Sequence, residues 1–130
     1  TLMLAPVIPA LTDHEIERIL AAAAAAGADR ATWVLLRLPH EVAPLFREWL
    51  DAHYPQRAAR VMSLVRQSRG GRDYDPAWGR RQRGTGEYAG LIARRFAVAR
   101  RRAGYGEGER QLDTSLFRRA HPAGQLALTL

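Results

Sequence analysis

Two short apolar runs, each followed by an amphipathic stretch, constrain this chain more than any other feature. L-M-L-A (2–5) ends at Pro6, and A-T-W-V-L-L (31–36) ends at Arg37. Four to six residues is strand length, and continuous rather than alternating apolar character is what a buried parallel strand shows. After the first run, T-D-H-E (12–15) predicts a capping box, with Thr12 accepting from the amide three residues on and Glu15 reaching back. Leu11 and Ile16 stand at hydrophobic-staple positions, Ile16, Ile19, Leu20 and Ala23 mark one helical face, and Gly27 ends it. After the second run, Val42, Leu45, Phe46, Trp49 and Leu50 recur at helical spacing and predict an amphipathic helix over about 41–53.

The periodicity continues beyond this pair of units. Pro55 suits the first turn of a further helix, with Ala58, Val61, Met62 and Val65 inward and a stop at Gly70 and Gly71. A loop rich in glycine, arginine and aromatics spans 70–84. Thr85 then stands at the N-cap of a last helix whose inward face is Tyr88, Ala89, Ile92, Phe96 and Ala99, ending at Gly104. Residues 105–130 lack clear periodicity; Leu112, Leu116 and Phe117 are expected to dock on the body, and Leu126, Leu128 and Leu130 alternate like a short strand. The order is β-α-β-α-α-loop-α-tail, an α/β pattern. It divides into βα units over 1–55, a basic helical extension over 56–104 and an irregular tail over 105–130. Two parallel strands alone leave unpaired apolar edges, so more strands are expected upstream.

Composition narrows the chemistry. The 130 residues fit one domain and include no cysteine, which excludes disulfides, thiolate-bound zinc and iron–sulfur ligation by this chain. No apolar run reaches membrane-spanning length and no signal peptide is visible, so a cytoplasmic location is the expectation. All 20 basic residues are arginine. Residues 66–102 hold 11 of them against Asp73, Asp75 and Glu87, and this segment carries the whole excess of positive charge. Such a patch attracts phosphates or other anions; a solvated helix face is the plainer explanation. Within it, Tyr74, Trp78, Arg80, Arg81 and Arg83 mix planar cations with aromatic rings, which suits phosphate contact with base stacking, a flap over a site, or an ordinary surface loop. Arg69 with Gly70 and Gly71 is a candidate anion site. His14, His40, His53 and His121 lack metal-ligand spacing, and no nucleophile elbow, Walker A or dinucleotide fingerprint occurs.

Several segments resemble, in order, the C-terminal part of a radical S-adenosylmethionine family grouped with spore photoproduct lyase and called DNA repair photolyases. They are A-P-V-I-P-A-L-T-D-H-E-I (5–16), V-L-L-R-L-P (34–39), L-F-R-E-W-L-D-A-H-Y-P (45–55), R-G-G-R-D-Y-D (69–75), E-Y-A-G-L-I-A-R-R-F (87–96) and L-D-T-S-L-F-R-R (112–119). The family pattern has glycine where Ala10 stands, and alanine resists positive φ. The family's C-x-x-x-C-x-x-C cluster motif is absent from this chain.

The resemblance implies the C-terminal βα units of a partial (β/α) radical-SAM barrel, followed by a mostly helical, arginine-rich extension. It implies a parent protein whose N-terminal remainder holds a 4Fe–4S cluster and S-adenosylmethionine and generates a 5′-deoxyadenosyl radical. Barrel sites form at the C-terminal ends of strands. The resemblance therefore puts Pro6, Val7, Ile8 and Pro9 beside the adenine of the cofactor, against the alternative of a rigid connector. Arg37, at the end of the second run, is expected either to clamp a carboxylate or phosphate or to pair with a carboxylate such as Glu41. Two other readings stay open: a stand-alone basic module that binds nucleic acid without catalysis, and a structural piece with no activity of its own.

Overall fold

The computed structural model describes residues 1–106 and 113–118. Strand β1 (Leu2–Val7) leads through a single 3-10 turn (Asp13–Glu15) into helix α1 (Ile16–Ala25), and strand β2 (Ala31–Leu35) returns beside β1. Helices α2 (Val42–His53), α3 (Pro55–Gln67) and α4 (Gly86–Arg102) follow. The strands pair in parallel, Leu2 beside Ala31 and Leu4 beside Trp33, with a register shift between Leu4 and Val7 where the Ala5–Pro6 peptide is cis. The chain is mixed α/β, with a two-stranded parallel sheet among the described residues.

The sheet is covered mainly on one face. Leu2, Leu4, Trp33 and Leu35 face Ile16 and Leu20 of α1 and Ile92, Phe96 and Ala99 of α4. The opposite face holds Met3, 65% exposed, with exposed Ala5 and half-buried Thr32 and Val34. Thus β1 is parallel as expected but is not buried on both sides, and it runs through Pro6 to Val7 instead of stopping there. Leu2 donates to the Arg30 carbonyl at 2.7 Å, so strand alternation turns the backbone groups of Met3 and Ala5 toward an edge with no partner strand among the described residues. The other edge is covered. The loop before α4 runs back along β2, the Leu35 amide donates to the Gln82 carbonyl at 2.8 Å, and Arg83 reaches the Thr32 hydroxyl at 3.0 Å. Only half of the expected pair of open edges is therefore found.

A second core joins Leu11, Leu36 and Leu38 to Leu50 of α2 and to Ala58, Val61, Met62 and Val65 of α3. The α3 face matches its periodicity because α2 packs along it, and Pro55 opens it at the position where a missing N–H costs nothing. The stripe expected on α2 does not bury as a unit. Leu50 is buried and Phe46 half-buried, but Val42, Leu45 and Trp49 are exposed, Leu45 by 60%, while Ala43 turns inward. Apolar spacing marks a face; it does not supply the surface that covers it.

Local expectations at the helix ends also change. The capping box does not form: the Thr12 hydroxyl accepts from the Ile8 amide at 2.9 Å, and Glu15 pairs with Arg18. The staple is absent too, since Leu11 joins the second core and Ile16 the first. Thr85 stands at the N-cap of α4 without a side-chain capping bond. Ala10, where the family pattern has glycine, adopts φ +57° regardless. Leu116 and Phe117 are exposed rather than docked. Leu112, Leu126, Leu128 and Leu130 lie outside the described residues.

A polar network ties α1 to α4. The Tyr88 phenol donates to Asp13 at 2.6 Å, and Arg95 grips Glu17 through two bonds of 3.0 and 2.8 Å. Burial, then the bond to Asp13, pushes the Tyr88 phenol above its ordinary value. Burial does the same to Tyr105, whose hydroxyl donates to the Leu20 carbonyl at 2.9 Å. A phenol raised on folding stabilises the fold fully below the unfolded value, about pH 10, and loses that contribution as pH climbs through the folded value. Denaturant midpoints measured from pH 8 upward are expected to hold to about pH 10 and then fall, less steeply in Tyr88→Phe and Tyr105→Phe. A midpoint that rises above pH 10 contradicts this.

Candidate functional site

The residues singled out by sequence gather at the C-terminal end of β2 and along the loop that covers its edge. Their centre is Arg69, which follows the C-cap of α3 and is 1% exposed. Its guanidinium donates to four carbonyls: Arg80 and Arg81 at 2.9 Å each, Leu36 at 2.7 Å and Leu35 at 3.3 Å. Among the described residues no carboxylate forms an ion pair with it, and its donors meet carbonyl dipoles near the negative end of α3. Burial draws its pKa below the usual arginine value, with Asp75 opposing and Arg37 adding to the fall. The site reading of Arg69 with Gly70 and Gly71 changes accordingly: the guanidinium is a bolt between strand and loop, and the Arg69 and Gly71 amides both donate to the Arg66 carbonyl.

The loop is held at several further points. Asp73 accepts from Arg47 and from Arg66, the latter at 2.8 Å, and Asp75 accepts from the Ala77 amide at 2.9 Å while lying 3.3 Å from Arg80. Gly84 sits where a Cβ would come within 2.7 Å of Leu35 and 2.9 Å of the Ser68 carbonyl, so loop and strand meet at glycine distance. These contacts convert an arginine-rich sequence into a fixed rim.

Arg37 stands on that rim, half-buried. It donates to the Tyr74 hydroxyl at 3.1 Å and lies 5.8 Å from that ring's centre. Neither Glu41 nor another carboxylate among the described residues forms an ion pair with it, so the expected structural pair is not made. Its Nε is buried without a partner. A cation steadied by a phenol and lacking a carboxylate suits an incoming carboxylate or phosphate.

The remaining loop residues separate into two stacked pairs. Arg81 lies 4.3 Å over the Trp78 ring, and Arg83 lies 4.7 Å over Trp33. Trp33, read only as a strand residue, gains this role because Arg83 arrives from 50 positions away.

The loop after β1 offers less. Val7 and Pro9 are buried, Ile8 half-buried and Pro6 exposed. The Ile8 amide is spent on Thr12, and its carbonyl accepts from Leu11, Thr12 and Asp13 at 3.1, 3.0 and 3.3 Å. Backbone hydrogen bonds from Ile8 to an adenine do not fit this arrangement; apolar contact from Ile8 and Pro6 does. A thiolate-held cluster does not fit the chain, which has no cysteine. Among the described residues no group of His, Asp or Glu is placed to hold a metal ion, and no helix is long and apolar enough to cross a membrane. Searches against protein families, curated proteins and solved structures find no match to this chain.

Proposed function

We propose that this chain supplies the last βα units of a larger parallel-stranded barrel of the radical S-adenosylmethionine type and is not catalytically competent alone. The observation that carries this reading is the strand pair itself. One face is packed by helices, the other holds exposed Met3 and Ala5, and the β1 edge has no partner strand among the described residues. A barrel needs all three features of its strands, with helices outside, an interior face and a further strand on the free edge. The ordered resemblance over 5–119 supports a barrel of the photolyase-like kind, and a cytoplasmic setting is proposed alongside it.

In this reading the N-terminal remainder is the partner, and it holds both cluster and cofactor. When bound, S-adenosylmethionine supplies the radical that abstracts hydrogen from substrate. This chain ends the partial barrel with β1 and β2 and offers apolar surface at Pro6 and Ile8. It sets Arg37 on the rim, where Tyr74 steadies the guanidinium for an anionic group of the substrate. The Arg69-bolted loop brings Tyr74 to that end, then carries Trp78, Arg80 and Arg81 and runs back along the β2 edge to Arg83 at Thr32. The experiment is reductive cleavage of S-adenosylmethionine to 5′-deoxyadenosine by the longest in-frame protein containing this sequence, reconstituted with iron and sulfide without oxygen.

A further inference from the structure

Trp78 leaves 84% of its surface in water, although a tryptophan is the costliest side chain to leave exposed. The fold does not use it to build either core. The segment carrying it is nevertheless held firmly. Arg80 and Arg81 donate back to the Ala77 carbonyl at 3.2 and 2.9 Å, Gly84 donates to Arg80 at 2.7 Å, and Arg69 binds the Arg80 and Arg81 carbonyls from inside. An indole displayed on a fixed turn loses little freedom when it meets a ligand.

The chemistry around it is specific. Arg81 covers the ring at 4.3 Å, and a shallow cleft lined by Trp78, Gly79, Arg81 and Gln82 opens beside the pair. Both loop carboxylates are already engaged, Asp73 by Arg47 and Arg66 and Asp75 by Arg80. Arg72, Arg81 and Arg83 have no carboxylate partner among the described residues. The surface therefore combines a flat π-system with positive charge that no carboxylate among the described residues neutralises. An acidic peptide would use the charge but not the indole. Duplex nucleic acid would use the charge but keeps its base faces stacked inside. A single strand carries a free base face and a phosphate in every unit.

We propose that Trp78 and Arg81 form a stacking platform for an unpaired base of single-stranded nucleic acid, with the neighbouring arginines meeting its phosphates. This site belongs to the present chain and holds whether or not the radical reading does. The test is fluorescence anisotropy of a labelled oligothymidylate of about 15 nucleotides with the 130-residue chain at low salt. Binding is expected to weaken steeply with added salt. Trp78→Ala is expected to lose about 5- to 150-fold in affinity, while Trp78→Phe keeps a stacking face and most of the binding. Because the ring is exposed, both variants should keep the wild-type circular dichroism spectrum. A blunt duplex of equal length is expected to bind more weakly than the single strand. The proposal is overturned if the oligomer does not bind, if Trp78→Ala binds as tightly as wild type, or if duplex or polyglutamate binds as well as the single strand. Cleavage of S-adenosylmethionine plays no part in this readout, so the two ideas fail separately.

Discussion

Replacing Arg69 with alanine is expected to remove about 4 kcal/mol of stability, a large share of the roughly 5–15 kcal/mol that a domain possesses. The reason is the four carbonyls it satisfies. Two belong to the end of β2, where the bonds are buried, and two to the loop on its edge, where they are half-buried; all four lose a charged donor. The vacated volume adds a cavity. Thermal unfolding should fall by roughly 10–20 °C, or the variant should fail to accumulate folded. Arg69→Lys should recover only part of the loss, since an ammonium is a point charge and cannot span acceptors on two segments with a planar fork. A midpoint within a few degrees of wild type for the alanine variant would show that the carbonyls find other donors and that the loop is not bolted.

The second large effect is expected at Gly84. It has φ +73°, and an added Cβ would meet the Leu35 side chain at 2.7 Å and the Ser68 carbonyl at 2.9 Å. The carbonyl is backbone at the end of α3 and cannot swing aside. Gly84→Ala should therefore cost about 3 kcal/mol, one part from the left-handed backbone and the larger part from forcing loop and strand apart. Gly79 is the matched control, with φ +79° and nothing within 4 Å of its added Cβ. Gly79→Ala should cost only about 1 kcal/mol. Equal losses at the two positions, measured by denaturant unfolding, would mean that backbone conformation explains both and that the close approach at Gly84 is not tight.

These two residues show where sequence reading stopped. The inward faces of α3 and α4 were legible because their spacing matches the helix and because partners within the chain cover them. The same spacing on α2 predicted burial that does not occur at Val42, Leu45 and Trp49, because a periodic pattern is blind to what lies opposite. The T-D-H-E signature failed for a different reason. A threonine hydroxyl accepts from whichever amide is nearest, and the turn of Pro6–Pro9 brings the Ile8 amide to it first.

Around the candidate site, residue types were legible and partners were not. Arg37 was placed at a strand end by the apolar run before it, but its partner Tyr74 comes from 37 residues further on. Arg69 read as an anion-binding residue because two glycines follow it. Its burial has no local signal, since the four acceptors come from two distant segments. Trp78 and Arg81 were the easier pair, three residues apart in one turn, and they do meet.

The proposed place of β1 and β2 in a larger radical-generating barrel can be tested on the protein itself. The most direct measurement compares two proteins after anaerobic reconstitution with iron and sulfide: the longest in-frame product containing this sequence, and the 130-residue chain. Each is given a reductant and S-adenosylmethionine, and 5′-deoxyadenosine is quantified. Formation is expected from the longer protein and none from the 130-residue chain. If the longer protein binds no cluster and releases no 5′-deoxyadenosine, or if the reading frame contains no cysteine motif upstream of β1, the barrel-completing role is contradicted.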